Sequence, residues 1–117
     1  MDPAAAVVAL SALAHEGRLE VFRRLVRAGP QGLPAGEIAR ATGALPNTLS
    51  GNLAILAGAG LVASRRDGRS IIYSAAYGRM AGLLAFLMDD CCAGEPEICA
   101  PLAAIAERGT RCCPVEP

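Results

Sequence analysis

Apolar residues recur along this chain at two intervals. Over residues 46–59, Leu49, Leu53 and Leu56 fall on one side of a 3.6-residue wheel, which predicts an amphipathic helix. The opposite side carries Asn47, Thr48, Ser50, Gly51 and Ala54, all small or bearing an amide or hydroxyl. A solvated helix face ordinarily carries Lys, Glu or Arg, so this one is shaped for close approach to another surface. Gly60 is placed to stop the helix. The interval then changes. Residues 61–66 and 69–74 are β-prone runs joined by Asp67-Gly68, a dipeptide that favours the tight hairpin turns whose central residues take positive φ.

Arg65, Arg66 and Arg69 cluster around the tip of that hairpin. A neutral, small-faced helix followed at once by an arginine-tipped hairpin is the pattern of a winged helix-turn-helix. In that fold the helix lies in the major groove and the hairpin reaches an adjacent backbone or minor groove. Asn47, Thr48, Ser50 and Asn52 are expected to face base edges or phosphates, with Arg65, Arg66 and Arg69 neutralising the backbone.

The segments on either side complete a mainly α fold of about five to six helices plus two strands. Residues 3–14 are alanine-rich, with Val7, Val8, Leu10 and Leu13, and predict a first helix. Residues 15–28 place Leu19, Phe22 and Val26 on one face with Leu25 beside it, and Gly29-Pro30 ends the run. His15 is expected to cap or pack at the start of this helix. A short third helix is expected at 34–42, with Pro34 at its first position and Gly43 after its end. The helix that follows starts either at Leu45, before a first-turn Pro46, or at Asn47 as the cap. After the hairpin, Met80, Leu83, Leu84, Leu87 and Met88 form a helical stripe within 76–90. A small winged domain does not bury both this stripe and the apolar first helix internally, so the two are expected to form a self-complementary face in a homodimer. Residues 1–90 are thus expected to form a DNA-binding and dimerisation domain. Residues 91–117 are expected to form a cysteine-rich segment with a short helix at 101–108.

Charge changes the picture only when it is mapped. Eleven basic and eleven acidic residues cancel over 117 positions, which at first speaks against a nucleic-acid partner. From residue 15 to 80, however, nine arginines stand against four acids, a balance of +5. From 81 to 117, two stand against six, a balance of −4. The expected reading unit is basic and the tail acidic. No apolar run approaches the length needed to span a bilayer, and the start of the chain lacks the basic stretch of a secretory signal, so a cytoplasmic location is expected.

All five cysteines, at 91, 92, 99, 112 and 113, lie in the last quarter of the chain. In a cytosolic chain clustered thiols mean metal binding or redox chemistry more often than a disulfide framework. Cys91, Cys92 and Cys99 are separated by a stretch with Gly94 and Pro96, which lets the backbone turn the third thiol back to the first two. Three thiolates make a soft site. With a single His in the chain, an imidazole-rich Zn²⁺ or Ni²⁺ site is hard to build, whereas As(III) or Sb(III) fills its fourth tetrahedral position with a lone pair and needs no fourth ligand. A Cys₄ zinc site recruiting Cys112 or Cys113 is the rival, although paired C-x-x-C knuckles are missing. Vicinal thiols that oxidise to a disulfide would make a redox switch instead. No C-x₅-R loop follows any cysteine and no local Cys–His motif occurs, so the chain is not expected to be an enzyme.

The runs ALAHEGRLEVFRRL, EIARATG, NTLSGNLAILAGAGLV and RRDGRSIIYS resemble the ArsR/SmtB family of winged-helix metal-responsive repressors over roughly residues 8–90. The resemblance implies a homodimer that binds a pseudo-palindromic operator as duplex DNA and is released by an inducer. Asn52 stands where the family usually has His. The family's thiolate motif on the third helix and its Asp/His set on the long helix are both missing. The chain is similar in this to the arsenic-responsive members whose inducer cysteines lie near the C-terminus, which implies that Cys91, Cys92 and Cys99 are the inducer ligands.

Overall fold

Asp2 begins the folded chain by capping its first helix, accepting the Ala5 N–H at 2.8 Å. The structure, a computed structural model, describes residues 1–88. The expected boundary after residue 90, the helix expected at 101–108 and all five cysteines lie outside the described residues. Within them, five helices and three short strands follow in order: α1 (Pro3–Leu13), α2 (Glu16–Ala28), β1 (Leu33–Pro34), α3 (Ala35–Thr42), α4 (Pro46–Gly58), β2 (Val62–Asp67), β3 (Ser70–Ala75) and α5 (Tyr77–Leu87).

Local chemistry explains most boundaries. His15 caps α2, its Nδ1 accepting the N–H groups of Gly17 and Arg18 at 3.1 and 3.3 Å. Arg18 then reaches back and donates from Nε to the Ala12 carbonyl at 2.6 Å, closing the end of α1 against the start of α2. Gly43 ends α3 in the left-handed region at φ 74°. Leu45 is the cap position of α4 and Pro46 its first residue, where a missing N–H costs nothing.

Three expectations are corrected. Pro34 is not the first residue of α3 but its cap, because it pairs with Ile72 as part of a third strand: β1 joins the hairpin in the antiparallel order β1-β3-β2. The hairpin turns one residue later than expected. Asp67 pairs with Ser70, so Gly68-Arg69, with Gly68 at φ 65°, make the turn and Asp67 ends β2. The buried stripe of α2 is Val21, Phe22 and Leu25, while Leu19 is exposed.

The core forms where α2, α3 and α4 meet the base of the sheet. Leu25, Ile38, Leu56, Leu61 and Val21 are its fully enclosed side chains, with Leu49, Leu53, Val62 and Leu83 around them. Arg65 fastens the hairpin to the loop before β1, donating from Nη2 to the Gln31 carbonyl at 2.9 Å. Tyr77 fastens α5 to α2 through the Val26 carbonyl at 3.0 Å.

That loop contains two left-handed glycines that differ in their surroundings. A Cβ on Gly32 would lie 2.2 Å from the Tyr73 carbonyl oxygen, whereas a Cβ on Gly29 would meet nothing within 4 Å. Gly29, at φ 85° and ψ −174°, sits in a region essentially reserved for glycine, so Gly29→Ala is expected to cost about 1–3 kcal/mol of backbone strain alone. Gly32→Ala is expected to cost clearly more, because β1 must move off β3. Urea unfolding of both variants checks the order, and equal losses would show that the loop yields.

Candidate nucleic-acid interface

The helix-turn-helix consists of α3, the residues Gly43 to Leu45, and α4. Leu49, Leu53 and Leu56 turn α4 inward, so Asn47, Thr48, Ser50, Gly51 and Ala54 are all exposed, as the wheel predicts. That face carries amide, hydroxyl and methyl groups and no charge. It can therefore approach the edges of base pairs closely enough for direct hydrogen bonds.

Asn52 is not part of this face. It is only 8% exposed, on the inner side of the helix, and its amide nitrogen lies 3.2 Å from the place a Cβ on Gly17 would take. Its spacing is the reason: residues 49, 52, 53 and 56 stand at i, i+3, i+4 and i+7, so Asn52 belongs to the core stripe. The glycine at 17 gives it room beside the first turn of α2. Asn52 supports the reading helix from within and does not face base edges.

The three hairpin arginines are all exposed but do not share a position. Successive strand residues point to opposite faces. Arg66 pairs with Ile71 and lies on the face that also carries Tyr73, Val62 and Ala75, which is the face turned to the helices. Arg65 pairs with Ile72 on the other face, where its guanidinium holds the Gln31 carbonyl. Arg69 occupies the turn. Parity along β2 was the signal that separates the two neighbouring arginines. Among the described residues the single ion pair is Arg40 with Glu37 at 2.7 Å, so no described carboxylate is ion-paired with a hairpin arginine.

Among the described residues no group of three His, Cys, Asp or Glu side chains could hold a metal ion, and the lone His15 is occupied as a helix cap. The cysteine site expected at Cys91, Cys92 and Cys99 lies outside those residues. No described helix is long and apolar enough to cross a membrane.

Comparison with known proteins gives the same fold. Residues 13–65 match a family model described as a helix-turn-helix domain. No curated protein matches the chain. An ArsR-like transcriptional regulator from Rhodococcus sp. RHA1 is 26% identical, covering 89% of this chain and 92% of that one with a TM-score of 0.68. The homodimeric winged helix-turn-helix DNA-binding domain of Mb0332 from Mycobacterium bovis, a possible ArsR-family regulator, is 30% identical. It covers 74% of this chain and 80% of that one, with a TM-score of 0.59. The transcriptional repressor BigR from Xylella fastidiosa is 29% identical, covering 74% and 85% with a TM-score of 0.57. With helix order, exposed reading face and hairpin all in place, the chain belongs to the ArsR/SmtB family of winged helix-turn-helix transcriptional regulators.

Proposed function

We propose that this protein is a cytoplasmic metalloid-responsive repressor. It binds operator DNA as a homodimer and dissociates when As(III) or Sb(III) is taken up by the thiolates of Cys91, Cys92 and Cys99. One observation carries the DNA-binding half: an uncharged exposed helix face stands beside a hairpin whose arginines have no described carboxylate partner. A helix of that kind reads bases, and arginines of that kind hold phosphates. BigR, a transcriptional repressor of the same fold, supports the direction of regulation.

The dimer is supported by an inversion in α1. Its inner face consists of Ala6, Ala9 and Ala12, while Val7 and Val8 are 61% and 51% exposed. A helix of a monomer would bury its larger side chains, since each buried branched residue contributes about 1.5–3 kcal/mol. The stripe of α5 divides in the same way: Leu83 is buried and Met80 packs on the core, while Leu84 and Leu87 are exposed. Met1, just before α1, lies within reach of α5 at Gly82. The Mb0332 domain, which shares the fold, is homodimeric.

The inducer is supported by sequence chemistry: three thiols fall within residues 91–99, and the only imidazole is used elsewhere. Capture of the metalloid acts on DNA only to the extent that the released form binds it more tightly than the DNA-bound form does.

Three outcomes are expected. Arg66→Ala should weaken binding to operator and bulk duplex alike and lower the salt slope by about 1, measured by fluorescence anisotropy from low to moderate salt. Val8→Glu and Leu84→Glu should each shift the protein toward monomer in sedimentation velocity at micromolar concentration; a dimer that survives both would rule out this face. Replacing Cys91, Cys92 and Cys99 by Ser should leave operator binding intact and abolish release by arsenite in a gel shift. Release by peroxide but not by arsenite would favour a redox sensor, and release by Zn²⁺ or Cd²⁺ alone a zinc-type site.

A further inference from the structure

Tyr73 has a ring with a structural task and a hydroxyl without one. It sits on β3, the central strand, paired with Leu33 on one side and Ser64 on the other, and its ring packs against the core. The hydroxyl has no hydrogen-bond partner among the described residues, and it is not sealed from solvent. A buried ring with its O–H at the surface leaves that hydrogen donated to water, which another acceptor can displace.

The surroundings indicate what arrives. Tyr73 lines two adjoining hollows of about 330 and 190 Å³, which also share Ala35 and Gly36 at the start of α3. One opens along the hairpin at Ser70 and Ile71, and the other runs to the reading helix at Ser50. Together they form a furrow between hairpin, α3 and α4, on the side of the molecule that presents both Ser50 and the hairpin. Its walls are mostly apolar, with Ser50 and Ser70 the polar side chains beside Tyr73, and no Asp or Glu lines either hollow. Arg66 lies on the same sheet face as Tyr73.

We propose that Tyr73 is a further DNA-contacting residue, its hydroxyl donating to a backbone phosphate seated in the furrow between the hairpin and the reading helix. The proposal rests on the operator-binding function put forward above and adds to it a neutral contact that no charge pattern reveals. Because β3 is hydrogen-bonded along both edges, the donor is held in place before DNA arrives, and little side-chain freedom is lost on docking. The contact fixes register and carries no base preference of its own.

Tyr73→Phe removes the hydroxyl and keeps the ring. The probe is a duplex enriched by the wild-type protein from a random-sequence library, unmodified or with single phosphates replaced by methylphosphonate. The variant should bind the unmodified duplex about tenfold more weakly, as expected for one hydrogen bond to a charged acceptor. Its salt slope should not change, since a neutral donor releases no counterion. Its thermal midpoint should not change either, since no intramolecular bond is lost. One methylphosphonate position should weaken the wild type and leave Tyr73→Phe unaffected. Selective wild-type binding combined with unchanged affinity of the variant would overturn the Tyr73 contact alone, as would a loss that tracks a fall in thermal midpoint. A wild-type protein that enriches no sequence would overturn the operator-binding function and the contact with it.

Discussion

The outward surface of α4 is determined by what it turns inward. Leu49, Leu53 and Leu56, with Asn52 among them, seat the helix against α2 and the base of the hairpin. Successive residues on a helix are about 100° apart, so a slip of one position would bring a leucine to the surface and send a serine into the core. The same stripe that stabilises the domain therefore fixes which uncharged groups are offered to a partner. On the proposed function, affinity and specificity are supplied by different elements, the helix by close fit and hydrogen bonds and the hairpin by charge.

A second division runs through the helices at the two ends of the described chain. α1 and α5 each give the domain core only part of what they hold, and the larger share of their branched side chains remains outside. In α1, alanines inside and branched residues outside are the reverse of what burial alone would select. This makes sense only if the domain core is not the whole of the core. On the proposed function the association surface and the reading surface lie on different elements, so each can be strong without compromising the other.

How much of this was legible in the sequence follows from how local each signal is. The leucine spacing of α4, the glycine after α3 and the single His before a helix are short-range patterns, and each led to the right element. β1 was not legible, because two residues make no periodic pattern and Leu33-Pro34 becomes a strand only by lying beside β3. The sequence points to a turn one residue early because Asp67-Gly68 is the stronger dipeptide, while the actual pairing of Asp67 with Ser70 is decided by register along the whole hairpin. For Asn52 residue type and spacing disagree: an amide on a reading helix suggests bases, yet its interval from Leu49 marks it as inward, and it is buried. Arg65 and Arg66 read alike in sequence, and strand parity separates them.

The bond from Arg65 to the Gln31 carbonyl has a wider consequence. It commits one guanidinium N–H to the protein's own backbone without cancelling the charge, so the strand pair is fastened near its outer half while its turn extends past that point. Such a fastening, added to the pairing of β1 with β3, opposes swinging of the flap away from the loop before β1. On the proposed function, the span from the arginine at the tip to the reading helix is then a property the protein brings to the duplex.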